Sequence, residues 1–254
     1  MAKLTMVQAL NLALRQEMEK DDRVIVLGED VGMDGGVFRV TDGLIDRFGK
    51  ERVVDTPLAE SAIVGMSIGM ALYGLKPVCE MQFSGFSYHG FHQIENHAAR
   101  LRWRTQGRFH VPMVLRTPYS GGVRALEHHS ESREIYYAHT PGLKIVIPSG
   151  PRSARALLVS AIRDPDPVIF YESKTLYRAF REEVPEKEEV FSIGKSRIVR
   201  KGEDITLVAY GTMMRPTLEA ADILKEKDGV KADVIDLLSV SPLDDTLFTA
   251  SVRS

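Results

Sequence analysis

Short apolar runs alternate along this chain with segments of helical periodicity, and few folds accept that alternation. RVIVLGED (23–30), RVVDTP (52–57), KPVCEMQF (76–83), VPMVLRTP (111–118), LKIVIPS (143–149) and PVIFYES (167–173) read as strands. Between them Val7, Leu10, Leu14 and Met18 recur at helical spacing. Phe91, Ile94, Ala98 and Leu101 share one face of a helix over 88–104, and SARALLVSAIRD (153–164) forms another. The expected fold is α/β, a largely parallel sheet with helices on both faces. At 254 residues and 44% hydrophobic content the chain can bury a sizeable core. The glycines of VGMDGG (31–36) allow unusual backbone angles after the first strand, and Pro57 suits the first turn of the helix that follows it.

The texture changes after residue 176. YRAFREEVPEKEEVFSIG (177–194) is densely charged, carries Pro185 and reads as a solvated linker. Beyond it, DITLVAYG (204–211), MRPTLEAADILKEKDG (214–229) and KADVIDLLSVSPL (231–243) spell strand, helix, strand, one βαβ unit. TLFTASVRS opens a further helix, so the second domain is expected to be incomplete. The expected division is 1–176, a linker over 177–194, and 195–254.

Several function classes fall away. A net charge of −2 leaves no footprint for nucleic acid or an acidic membrane. The longest uncharged run, 61–75, is too short and too rich in Gly and Ser for a membrane span. The single cysteine, Cys79, excludes an internal disulfide and is compatible with a reducing compartment. Acids interrupt the N-terminal helix, unlike a secretory or transit signal. The expected compartment is the cytoplasm, or the mitochondrial matrix for a processed eukaryotic chain.

No phosphate loop and no G-x-G-x-x-G follows a strand, and the Gly-Asp-Gly motif of many magnesium diphosphate sites is missing. His89 and His92 could share a helical face, but His97 falls away from it and no cysteine joins them, so polar surface positions are the better reading than zinc. GFSYH (85–89) nearly matches a nucleophile elbow around Ser87, but His89 stands where the second glycine is needed. Arg100, Arg102, Arg104 and Arg108 read as a solvated helix end. In EHHSES (127–132) an extended backbone would point His128 and His129 to opposite faces, so one of them at most meets a site. Glu60 opens the uncharged run. If it is exposed, the helix dipole accounts for it, at roughly 0.3–1 kcal/mol. If it is buried, desolvation outweighs the dipole and the acid requires a partner, for which the nearby sequence offers no base; a ligand's ring nitrogen would serve.

DTPLAE with its glycine-spaced helix, then GLKPVCEMQF, resembles the beta subunit of the thiamin-diphosphate-dependent decarboxylating component of 2-oxoacid dehydrogenase complexes. The likeness runs from VQALN and LGEDVG, through HTPGLKIVIPS, to DITLVAYG, essentially the whole chain. It implies a thiamin-binding pyrimidine domain followed by an incomplete transketolase C-terminal-like domain. It also implies that Glu60 hydrogen-bonds N1′ of the cofactor's aminopyrimidine, that Phe86 sets its ring against the pyrimidine, and that Gln82 contacts the cofactor. His129 matches the family histidine lying ten positions before the His of HTPG, which assists acyl transfer to lipoamide; His128 has no counterpart.

By the same resemblance the alpha subunit holds the magnesium diphosphate, which accounts for the missing Gly-Asp-Gly. The expected assembly is a heterotetramer of two alpha and two beta subunits, docked to a dihydrolipoyl acyltransferase core, with a structural potassium ion near Asp164 and Asp166. DGGVFRVTDGL and EHHSES look more like branched-chain members than pyruvate ones. The alternatives are a pyruvate dehydrogenase beta subunit, a single-chain thiamin enzyme related to transketolase, a non-catalytic assembly protein of the same fold, and a serine hydrolase using Ser87.

Overall fold

The computed structural model describes residues 2–253. In chain order its elements are β1 (Ala2–Leu4), α1 (Met6–Lys20), β2 (Val24–Gly28), α2 (Leu44–Phe48), β3 (Val53–Asp55), α3 (Glu60–Leu72) and β4 (Lys76–Glu80). There follow α4 (Leu101–Arg104), β5 (Val114–Tyr119), α5 (Glu134–Ala138), β6 (Lys144–Val146), α6 (Pro151–Arg163), β7 (Val168–Ser173) and β8 (Glu182–Val184). The last are β9 (Arg197–Arg200), β10 (Ile205–Ala209), α7 (Met214–Asp228), β11 (Ala232–Asp236), β12 (Ser239–Ser241) and α8 (Thr246–Arg253).

Seven strands form the main sheet in the order β12-β6-β7-β5-β4-β2-β3, parallel except for β12. Successive residues of these strands feed opposite faces. Val24, Val26, Val78, Val114, Val146, Val168 and Phe170 pack under α1 and α6, with Leu10, Leu14, Leu157 and Leu158. Leu27, Cys79, Leu115, Ile145, Ile169 and Tyr171 pack under α3 and the segment before α4, with Ile63, Val64, Ile94 and Ala98. Each buried Val or Leu is worth about 1.5–3 kcal/mol, so helices cover both faces as the apolar runs require. At the start of α1, Thr5 and Gln8 cap each other, with the Thr5 N–H donating to Gln8 Oε1 at 3.0 Å.

Four readings of the sequence change in the structure. Pro57 lies before α3 rather than in its first turn, since the helix starts at Glu60 after its N-cap Ala59. The expected helix over 88–104 is broken into a 3-10 turn (Ser84–Gly90), a π-helical turn (Gln93–Ala98) and α4, although Ile94 and Ala98 are buried as its periodicity predicts. The strand read over 231–243 turns at Leu238, which has φ +58°. Its first half joins a sheet of order β10-β11-β9, and its second half, β12, crosses to the main sheet beside β6.

The charged stretch 177–194 is docked rather than solvated. β8 pairs antiparallel with β1, and Val184 is buried. Glu188 meets Arg163 and Lys20, while Glu189 takes two hydrogen bonds from Arg152 at 2.5 and 2.8 Å. Local charge density reads as solvation because these partners lie on α1 and α6, far away in sequence. Among the described residues no helix is long and apolar enough to cross a membrane.

The parallel strands share one C-terminal edge. Glu29 and Asp30 follow β2, Glu60 follows β3, and Gln82, Phe83 and Phe86 follow β4. The loop carrying His129 follows β5, and Lys174 follows β7. Ligands of open α/β sheets bind at this edge.

Candidate active site

Glu60 begins α3 and is 4% exposed. The helix is not enclosed on every side: Ile63, Val64, Ser67 and Ile68 face inward, while Gly65, Met66, Gly69 and Tyr73 are exposed and uncharged. Nor is the acid without a base. His89 Nδ1 lies 3.3 Å from Glu60 Oε2, from a position 29 residues away that local sequence does not connect with it. Glu29, a further buried acid that sequence reasoning left unassigned, has its carboxyl held above the usual range, first by burial and then by the charges of Glu60 and Asp30. The LGEDVG match was the available signal for it.

Gln82, Phe86 and His129 gather at the same edge. Gln82 Nε2 donates to Asp30 Oδ2 at 2.8 Å. The His129 ring stands edge-on to Phe83 at 4.4 Å and to Phe86 at 5.5 Å, with Phe83 and Phe86 5.7 Å apart. Phe83 was also missed; it lies at the end of an apolar run and reads as core. His128 points away, 57% exposed, with Nδ1 3.4 Å from Glu127. A side chain at Gly85 would collide with the His128 carbonyl, so glycine there lets the histidine loop lie on the 3-10 turn.

Other candidates are not brought together as reactive groups. Ser87 is buried, and its Oγ donates to the Ser84 carbonyl at 2.6 Å inside the 3-10 turn, without a base, which removes the hydrolase reading. The His92 and His97 rings are 5.1 Å apart, but no group of three or more metal-ligating side chains occurs among the described residues. Arg100 pairs with Glu95 at 2.6 Å and Arg102 with Asp166 at 2.7 Å, while Arg104 donates to the Asn96 carbonyl. Burial pushes the Cys79 thiol up to about 12, which leaves it unreactive. A cleft of about 1380 Å³ lined by Trp103, Arg104, Gly142 and Pro242 opens at the opposite, N-terminal edge of the sheet, away from Glu60.

Asp164 and Asp166 do lie together. The Asp166 N–H donates to Asp164 Oδ1 at 2.9 Å, and Lys144 Nζ donates to both oxygens of Asp164 at 2.6 and 2.8 Å. Arg102 donates to both oxygens of Asp166 at 2.7 Å. Both carboxylates are thus engaged by side chains of this chain.

Residues 2–180 match the transketolase pyrimidine binding domain, and residues 194–254 match the transketolase C-terminal domain. The chain is 51% identical over 253 residues to the pyruvate dehydrogenase E1 component subunit beta of Acholeplasma laidlawii, covering 100% of this chain and 77% of that one. It is 50% identical over 244 residues to the 2-oxoisovalerate dehydrogenase subunit beta of Bacillus subtilis, covering 96% and 74%.

The chain belongs to the E1 beta-subunit family of 2-oxoacid dehydrogenases.

In fold alone, this beta-subunit chain also resembles a split-gene transketolase solved as an inactive beta4 tetramer, with TM-score 0.81 and 22% identity over 99% of this chain and 77% of that one. A Pichia stipitis transketolase gives a TM-score of 0.73 and 16% identity, over 100% of this chain and 37% of that one. Thiamin diphosphate is the cofactor this family uses, and the pyrimidine edge of the beta subunit fits it. A buried carboxylate with an oxygen lacking any donor among the described residues suits a ring nitrogen, and the Phe86 ring lies in the turn packed against the same helix.

Proposed function

We propose that this chain is the pyrimidine-binding half of a thiamin-diphosphate-dependent 2-oxoacid dehydrogenase, completed by an alpha subunit. The observation that carries the reading is Glu60, buried at the head of α3 with one carboxylate oxygen unengaged beside the Phe86 turn. Glu60 would hydrogen-bond the pyrimidine N1′ and hold a proton there. Phe86 would seat the ring, Gln82 would orient it, and His129 would stand where the acyl group passes to a lipoyl acceptor. When bound, the cofactor supplies the electron sink for loss of carbon dioxide from a 2-oxo acid.

The uncharged outer face of α3, with Gly65, Met66, Gly69 and Tyr73 exposed, supports a chain that is one part of a larger assembly. We assign that assembly as two alpha and two beta subunits on a dihydrolipoyl acyltransferase core, with magnesium held by alpha. Segments 34–44 and 127–132 support a branched-chain 2-oxo acid; overall identity is neutral, at 51% and 50% to the two kinds of relative.

The test is thiamin-dependent dye reduction by this chain co-expressed with its alpha subunit, using 3-methyl-2-oxobutanoate and pyruvate separately. Glu60→Gln is expected to abolish turnover of both, and retained turnover would sink the role of Glu60. Preference for pyruvate would keep the mechanism and discard the branched-chain assignment.

A further inference from the structure

Glu60 holds one carboxylate oxygen in place and leaves the other open. Its side chain is 5% exposed, and its hydrogen-bond partner among the described residues is His89, with Nδ1 3.3 Å from Oε2. No lysine or arginine pairs with Glu60 among those residues, and its charge acts on the neighbouring Glu29. The carboxylate therefore sits in an anionic corner where one imidazole is the group that can hold it.

The His89 ring is itself 71% exposed, so its own burial does not fix it. Gly90 sets its position. A Cβ at Gly90 would stand 2.9 Å from Val64 Cγ2, 3.1 Å from Met81 Cε and 3.4 Å from the Glu60 carbonyl. Only a residue without a side chain lets the 3-10 turn press this closely on α3, and that approach carries His89 over the head of the helix.

We infer that His89 is a positioning residue for Glu60, an extension that rests on the role proposed for Glu60 above. The imidazole donates from Nδ1 to Oε2, fixes the carboxylate rotamer and so presents Oε1 to the ring nitrogen of the cofactor. A carboxylate already held in its binding geometry does not have to be ordered when the ligand arrives, and the saving appears as affinity. His89 does not touch the cofactor in this scheme; it acts through Glu60.

The experiment titrates magnesium thiamin diphosphate calorimetrically into the assembled alpha–beta protein. His89→Ala is expected to raise Kd about five- to tenfold, as the cost of ordering one freed side chain is met on binding. His89→Phe, which keeps a ring without the donor and guards against a folding defect, should show the same loss. His89→Asn, which returns an N–H near the position of Nδ1, should stay within about twofold of the wild type. Unchanged affinity in His89→Ala and His89→Phe, or equal loss in His89→Asn, would overturn the inference. Turnover measured alongside separates the two ideas. Loss in Glu60→Gln with normal binding in the His89 variants removes only the positioning role, whereas turnover retained in Glu60→Gln removes the reading of Glu60 itself.

Discussion

Lys174 Nζ lies 5.7 Å from the centre of the Phe83 ring and has no hydrogen-bond partner among the described residues, although the residue is 6% exposed. The π-face offsets part of the desolvation of the ammonium, but a cation–π contact is weaker than the hydration lost. Burial accordingly pushes the amine down to about 8 from its ordinary 10.5. The unfolded chain therefore holds this proton more tightly than the folded one. The cost is fully present below about pH 8 and fades as pH rises toward 10.5. Lys174→Met should raise stability by about 1–3 kcal/mol at pH 7, read as an increase in Tm, with the gap narrowing between pH 8 and 10.5. A loss of stability at pH 7 would show that the amine has a partner.

Arg116 is 1% exposed and ties together two carboxylates. It donates to Glu80 at 2.6 Å and to both oxygens of Glu172 at 2.7 and 2.8 Å, while Tyr177 Oη donates to Glu172 at 2.7 Å. Arg116→Met leaves two acids buried without their cation. The expected loss is about 3–5 kcal/mol in urea denaturation, larger than the value of the ion pair itself, because the uncompensated charges remain. A cost below about 1 kcal/mol would mean that the acids take up protons at little expense.

At the end of β11, Asp236 accepts a hydrogen bond from Ser149 through Oδ2, while Oδ1 is buried without a partner. Burial pushes its carboxyl up to about 6 from 3.8. Here the folded state binds the proton more tightly, so the stability contributed by the protonated form is lost as pH rises through this window. Asp236→Asn should stabilise the chain at pH 7.5 by about 1–3 kcal/mol and make little difference below pH 4. A pH-independent gap between the two proteins would count against this account.

The strands were legible because a parallel strand covered on both faces is a continuous apolar run, as VIVLG in β2 shows. Glu60 was legible as an isolated acid in an uncharged stretch. Its partner was not, because His89 reaches it through packing that depends on Gly90, and spacing along the chain carries no trace of that approach. Leu238 escaped for a related reason: an apolar run crossing from one sheet to another looks the same as one long strand. Glu188 shows the same limit for charge: an acid in a charged tract reads as solvated yet is held by Arg163 and Lys20, which lie far away in sequence.

The adjacent histidines offer the sharpest contrast between the assigned site and its surroundings. His129 is seated against Phe83 and Phe86, on the side of the loop facing Glu60's edge of the sheet, whereas His128 is 57% exposed beside Glu127. Removing a positioned acid–base group costs about 10²–10⁴ in rate, whereas truncating an exposed histidine removes nothing that a transition state uses. In the assembled enzyme, His129→Ala should reduce acyl transfer to a lipoyl domain by at least about 100-fold, and His128→Ala should stay within about twofold of the wild type. Both proteins should keep the parent Tm to within a few degrees, since each change is confined to the loop. Equal losses in the two variants would point to a general disturbance of residues 120–133 and remove the role given to His129. A larger loss in His128→Ala would reverse the assignment, requiring the loop to turn over when the alpha subunit docks.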